Sequence, residues 1–316
     1  MSKLFTGIHH ITALAGDPQA NINFYSGLLG LRFLKKTVNF DAPEVYHFYY
    51  GDEYGLPGSI LTFFPYPGIV RGRRGTGMLN TIAFSVPAAA KDYWEKRLTQ
   101  FRIGFQTAKK RFGESYIAFE DHDGLGLELV FTDRDDRPGF SYGHIPLEYS
   151  IRGFYSVEIW ETFAERTAAI LTNLLDHELT AEEGGRFRYA ASDAPGHYVD
   201  ILAARDSRKG LNGGGTVHHI AFALPDEKSQ EEARRRIASE GLNPTPIIDR
   251  QYFKSIYFRE PGGVLFEAAT EKPGFAVDEP VERLGEELKL PPQYESFRQR
   301  IQNSLEPVEL NPGNFR

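Results

Sequence analysis

The chain has 316 residues, of which 41% are hydrophobic and 25% charged, with a net charge of −7 and no cysteine. This composition is that of a globular protein, and the length accommodates two ordinary domains. It excludes disulfides and thiolate ligands, argues against nonspecific nucleic-acid binding, and offers neither an apolar run near the roughly 20 residues that cross a bilayer nor an export signal at Met1-Ser2-Lys3-Leu4-Phe5, so the expected setting is cytoplasmic.

The first element is the strand-like Gly7-Ile8-His9-His10-Ile11-Thr12. A helix is predicted after it: Asp17 suits its N-cap, Pro18 its first turn and Gly30 its end, with Ile22, Tyr25, Leu28 and Leu29 at helical spacing. Short β-like runs follow and close on Pro57-Gly58-Ser59-Ile60-Leu61-Thr62. The basic stretch Arg71-Gly72-Arg73-Arg74-Gly75 reads as a solvated loop or, more sharply, as a mobile loop over a pocket.

The same plan recurs three times. Met78–Phe84 is a strand before a helix with Tyr93, Trp94 and Leu98, and the unit closes on Asp123-Gly124-Leu125-Gly126-Leu127-Glu128. Gly153–Ile159 precedes a helix with Phe163, Thr167, Ala168, Leu171 and Leu174, and that unit ends on Pro195-Gly196-His197-Tyr198-Val199-Asp200. Thr216-Val217-His218-His219-Ile220-Ala221 repeats the opening pattern. It precedes a helix with Asp226 as cap, Ala233 and Ile237 as apolar stripe and Gly241 at its end, and leads to Glu260-Pro261-Gly262-Gly263-Val264-Leu265-Phe266-Glu267.

The expected architecture is α+β: four βαβββ modules, over about 6–65, 77–132, 151–204 and 215–270, in two similar domains. A charged, turn-rich linker over 133–141 sets the domains at 1–140 and 141–275. The tail, 276–316, holds a probable amphipathic helix after Pro291-Pro292, with Tyr294, Phe297, Ile301 and Leu305, that packs on the body.

Strand alternation selects candidate ligands. His219, Ala221 and Ala223 share a small-residue face that leaves room for a cup, and His218, Ile220 and Phe222 share the other; by the same rule His10 points into the cup and His9 away. Glu267, between Leu265 and Ala269 on its own face, needs a partner if buried, and a metal ion is the economical one. His10, His219 and Glu267 would then form a two-histidine, one-carboxylate face with open positions, a set that suits Fe(II) and dioxygen. Thr81 with Glu128 in the second module, and Tyr155 with Asp200 in the third, fail as ligand sets, and Glu128 and Asp200 read as structural or vestigial. His47, His122, His144, His177 and His197 read as surface or packing residues, with His47 or His197 able to line the cavity.

These residues carry a family resemblance. Gly7–Thr12, Leu29-Gly30-Leu31-Arg32-Phe33 with Lys35–Asn39, His218-His219-Ile220-Ala221-Phe222 and Gly262–Glu267 are similar to motifs of the vicinal oxygen chelate superfamily, which includes glyoxalases, fosfomycin-resistance proteins and extradiol dioxygenases. More narrowly, the chain resembles its hydroquinone-type ring-cleaving dioxygenases. The resemblance implies a metal shared between the first and fourth modules, a site near the substrate formed by Tyr257, Arg250, His9, His218 and Thr12, and Fe(II) as the metal with Zn, Mn or Ni as possibilities. It also implies a small aromatic diol and dioxygen as partners, with a homo-oligomer possible. In such a site Tyr257 would exchange a proton with a substrate oxygen and Arg250 would stabilise a phenolate. The alternative on the same metal face is a glyoxalase-type isomerase or thiol transferase, which needs Lewis acidity without redox chemistry.

Overall fold

A computed structural model describes residues 3–140 and 144–315, so Ser141 at the end of the predicted linker lies outside the described residues. The four modules are present. The first comprises β1 (Ile8–Ala15), α1 (Pro18–Ile22), β2 (Arg32–Asn39), β3 (Ala42–Gly51) and β4 (Ile60–Pro65). The second has β5 (Met78–Val86), α2 (Lys91–Gln100), β6 (Phe105–Arg111), β7 (Glu114–Glu120) and β8 (Gly126–Phe131). The third has β9 (Gly153–Glu161), α3 (Ala164–Asn173), β10 (Glu178–Glu183), β11 (Arg186–Ala190) and β12 (Tyr198–Ala203). The fourth has β13 (Thr216–Leu224), α4 (Glu227–Ser239), β14 (Ile248–Asp249), β15 (Lys254–Arg259) and β16 (Leu265–Thr270).

The predicted caps are made. Asp17 accepts from the Ala20 N–H at 2.9 Å and Asp226 from the Ser229 N–H at 2.7 Å, each satisfying a donor that the first helical turn leaves free. The first helix is shorter than its apolar spacing predicts: after Ile22 the chain widens into a π-helical stretch, Asn23–Leu28, in which Leu29 N–H reaches the Phe24 carbonyl. Trp94 on α2 is fully buried and donates to the Tyr149 carbonyl at 2.9 Å, so its large ring enters the core with its one polar atom satisfied.

The modules combine across the chain. One eight-stranded sheet runs β14-β15-β16-β13-β1-β4-β3-β2 and joins modules 4 and 1; the other runs β10-β11-β12-β9-β5-β8-β7-β6 and joins modules 3 and 2. Each sheet therefore takes one module from either side of the linker near residue 140. The joining pairs, β1 with β13 and β5 with β9, are antiparallel, whereas the first and last strands of each module pair in parallel.

The basic stretch at 71–75 is pinned: Gly72 N–H donates to the Gly214 carbonyl and Arg73 N–H to the Leu211 carbonyl, and Arg71 and Arg74 reach Glu120. It joins the linker between modules 3 and 4 rather than covering a pocket as a mobile loop. In the tail a 3-10 turn (Pro292–Phe297) precedes a short α-helix, α5 (Arg298–Ser304), in place of one continuous helix. Ile301 and Leu305 are buried, and Tyr46 and Tyr294 donate across the tail–body contact to the Glu306 and Phe40 carbonyls. Fully buried Lys35 is neutralised by Asp278, at 2.6 Å, and by Glu279. Among the described residues no helix is long and apolar enough to cross a membrane.

Candidate metal centre

The pairing of β1 with β13 brings the two His-His sequences side by side, and β16 lies next to β13. His10 Nε2 and His219 Nε2 are 3.3 Å apart, and they lie 3.3 and 2.9 Å from Glu267 Oε2. All three residues are buried, Glu267 completely. Neither Glu267 oxygen has a hydrogen-bond partner among the described residues, despite the short approach of His219. Three lone-pair donors thus converge on one point with nothing shared between them, and a divalent cation satisfies all three at once. The donor set fits a metal with open coordination positions. Burial works to raise the Glu267 carboxyl, and positive charge on the side of His10 and His219 outweighs it and holds the group well below the ordinary carboxylate range.

The first histidine of each pair does not face away as simple alternation predicts. The β1–β13 register skips His9 between Ile8 and His10, and skips His218 between Val217 and His219. Each is the extra residue of a β-bulge, and a bulge re-aims its side chain. Both rings turn beside their neighbours: His9 Nδ1 lies 2.9 Å from His10 Nδ1, and His218 Nδ1 lies 2.8 Å from His219 Nδ1. At the first pair the network fixes the tautomers. The Thr270 carbonyl, 3.1 Å from His9 Nε2, can only accept, so His9 carries its hydrogen on Nε2 and accepts at Nδ1 from His10. His10 Nε2 is left with a free lone pair aimed at the convergence point, and the outer histidine orients the inner one as metal sites require. Burial first, and the neighbouring ring second, lower His9 to about 3 and His218 to about 4, which keeps both neutral.

The bulges recur in the other sheet, at Asn80 and Tyr155. Ser156, not Tyr155, therefore occupies the place of His10 and His219, while Tyr155 matches His9 and His218. The carboxylate positions align by register: Glu267 opposite Ala221, Thr62 opposite Thr12, Glu128 opposite Ala83 and Asp200 opposite Glu158.

His10 and His219 line a cavity of about 930 Å³ that is also bordered by Thr12, His47, Tyr49, Arg250, Phe253 and Tyr257 together with apolar side chains such as Leu14, Phe64 and Leu265, while Glu267 is completely buried beside them. Tyr257 lies opposite Glu267 in the strand register, and Arg250 Nε donates to its hydroxyl at 3.2 Å. Burial, then the Glu267 charge, push the Tyr257 phenol up, so it keeps its proton at neutral pH. Arg250 also reaches Asp41 at 3.3 Å. His218 and Thr12 border the cavity, whereas His9 stands behind His10. Of the other histidines only His47 borders it. His197 packs against Gly7, whose φ of +135° a side chain would strain, and His144 and His177 bond backbone carbonyls. Sequence reasoning missed Tyr49 and Phe253; the first could have been found by aligning module 1 with module 4, where Tyr49 opposite Thr62 matches Tyr257 opposite Glu267.

The sequence profile described as Glyoxalase/Bleomycin resistance protein/Dioxygenase superfamily matches residues 7–129 and 156–268. A Bacillus subtilis (strain 168) protein named as a candidate ring-cleaving dioxygenase, MhqO, is 44% identical over 310 residues, covering 98% of this chain and 99% of its own. The chlorohydroquinone/hydroquinone 1,2-dioxygenase of Sphingobium indicum is 34% identical over 309 residues, covering 95% of each. A crystal structure of a candidate dioxygenase from Bacillus subtilis superposes with a TM-score of 0.94 at 43% identity, covering 98% of this chain and 99% of that one. Glyoxalase I from Zea mays, at 16% identity with a TM-score of 0.62 over 84% of this chain and 92% of its own, shares the fold. The chain belongs to the Glyoxalase/Bleomycin resistance protein/Dioxygenase superfamily.

Proposed function

We propose that the protein is a ring-cleaving dioxygenase for a hydroquinone or related aromatic diol, with Fe(II) held by His10, His219 and Glu267. The observation that carries this reading is the convergence of two imidazole nitrogens and one carboxylate without a hydrogen-bond partner, with both imidazoles lining a large, mostly apolar cavity. Three protein ligands on one face leave positions for a substrate oxygen and dioxygen. Iron bound there supplies electron transfer between the ring and dioxygen. The relatives named above as ring-cleaving and hydroquinone dioxygenases support the same chemistry.

The chain's own residues handle the substrate. Phe40, Phe64 and Leu265 border the cavity as apolar faces against which an aromatic ring packs while water is displaced. Arg250 supplies a positive charge that steadies a phenolate, and the Tyr257 hydroxyl, held by Arg250, donates a hydrogen to a substrate oxygen. His9 and His218 keep the ligand histidines in the tautomer that leaves Nε2 free. Thr12 borders the cavity beside the triad.

The test is anaerobic loading with Fe(II) followed by oxygen uptake with substituted hydroquinones and catechols. The expected result is stoichiometric uptake with a hydroquinone and a ring-opened product. No uptake with any diol, together with Zn-, Mn- or Ni-dependent turnover of a glutathione hemithioacetal, would replace this reading with the isomerase.

A further inference from the structure

On the module 1 side of the cavity the place of the carboxylate ligand is taken by Thr62, and Thr62 is part of a chain of contacts. Tyr49 Oη lies 2.9 Å from His47 Nδ1, His47 Nε2 lies 2.9 Å from Thr62 Oγ1, and Thr62 Oγ1 lies 2.8 Å from Thr12 Oγ1. The His47 ring is held between Tyr49 and Phe64, with centroids at 4.1 and 4.3 Å. Tyr49, Thr62 and Thr12 are all but inaccessible to bulk water, yet Tyr49 and Thr12 both border the cavity.

Counting hydrogens shows what the chain can do. A neutral imidazole and three hydroxyls carry four exchangeable hydrogens, and three contacts use three of them. One hydrogen is surplus, and it emerges at one end or the other. With the His47 hydrogen on Nε2 the surplus projects from Thr12; with it on Nδ1 the surplus projects from Tyr49. Both ends open on the same cavity, so the chain offers a donor at one end and an acceptor at the other, and it can exchange the two.

Adding dioxygen to an aromatic diol gives a ring-opened product with the same number of hydrogens as the diol. A proton taken from one substrate oxygen on binding can therefore be returned to another oxygen of the product as the ring opens. We propose that Tyr49, His47, Thr62 and Thr12 form a proton relay that collects that proton at one point of the cavity and returns it at another. A proton entering at Tyr49 Oη sends the Tyr49 hydrogen to His47 Nδ1. The His47 Nε2 hydrogen passes to Thr62, the Thr62 hydrogen to Thr12, and the Thr12 hydrogen leaves to an oxygen of the ring-opened product. One proton enters, one leaves, and no bond between heavy atoms changes. Burial lowers His47 well below an ordinary imidazole, which favours the neutral ring that the hydrogen count requires.

The inference rests on the dioxygenase reading for its substrate and can fail separately from it. In the Fe(II)-loaded enzyme His47→Leu should lower kcat about 10²-fold with KM little changed, and the iron content should match the unmutated protein. His47→Ala should behave alike and recover turnover when free imidazole is added, a rescue that a packing role does not produce. An unchanged kcat in folded His47→Leu, or His47→Ala turnover indifferent to imidazole, overturns the relay. The second readout is nitrogen-resolved NMR of His47 in the metal-free protein. The ring should stay neutral from about pH 5 to 8 and populate both tautomers; a charged ring or a single fixed tautomer overturns the relay even if a variant fails to fold. Absence of oxygen uptake by the unmutated enzyme would instead defeat the dioxygenase reading and leave the NMR result to decide the relay.

Discussion

In the sheet built from modules 1 and 4, Glu267 faces two imidazole nitrogens; in the sheet built from modules 2 and 3, its counterparts face guanidinium groups. Arg188 grips Asp200 with contacts of 2.7 and 2.8 Å and reaches Glu114 at 2.5 Å, while Arg111 grips Glu128 at 2.5 and 3.2 Å. Arg188 stands opposite Asp200 in the register as Tyr257 stands opposite Glu267. All four charged groups of the two grips are buried. A carboxylate in this fold position has to meet a cation. One sheet carries the cation covalently, on arginine stems that fill the space; the other converges imidazole nitrogens on the acid and leaves room for an ion and a ligand. Retaining the acid thus says little about function, and the residues opposite it decide.

The largest effect should separate the sheets outright. His10→Ala, His219→Ala and Glu267→Gln should each abolish stoichiometric metal binding, while Asp200→Asn and Glu128→Gln leave the metal content of the purified protein unchanged; equal loss in both sets would erase the distinction. Next, Arg188→Met leaves buried Asp200 with only the more distant Arg111, at 4.0 Å, as counter-charge and should cost about 3 kcal/mol in urea unfolding. The double variant Arg188→Met/Asp200→Leu should recover much of that loss. On the other sheet, His9→Phe and His218→Phe keep a ring in place but remove the Nδ1 partner of the adjoining ligand histidine, and each should weaken metal affinity about 10–100-fold in competition with a chelator.

The smallest effect concerns the seam between the sheets. Burial first, and the neighbouring Glu260 second, raise Glu161 on β9 to about 8. An acid with a raised folded pKa binds more protons folded than unfolded, so stability is full below the unfolded value of 4.5 and declines as pH rises from there to about 8. Glu161→Gln should flatten that decline, gaining about 1 kcal/mol at pH 9 after allowance for solvent screening, as read from unfolding midpoints.

The module boundaries, the helix caps and the three candidate ligands are legible because they rest on local signals: repeated context, turn glycines and an acid within an apolar strand. Glu267 stands out in the sequence since neither neighbour on its face, Leu265 or Ala269, is polar. The orientation of His9 and His218 is not legible, because a bulge arises from the register of two strands that pair only in the folded chain. The same blindness misaligned Tyr155 with His10. Nothing local announces that Arg188 and Arg111 fill the second sheet, or that His47 joins Tyr49 to Thr62: those contacts depend on which module lies beside which.

The order in which the sheets form has a consequence for synthesis. The sheet of modules 2 and 3 is made from neighbouring parts of the chain, whereas the other closes around it like an outer bracket, with His10 and His219 separated by 209 positions. At ribosomal speeds of about 5–20 residues per second, module 1 waits on the order of ten seconds or more for β13. During that interval β1 lacks the neighbour it pairs with, and His10 lacks its co-ligands. The ion site therefore comes into being among the last features of the nascent protein, after nearly the whole polypeptide has emerged.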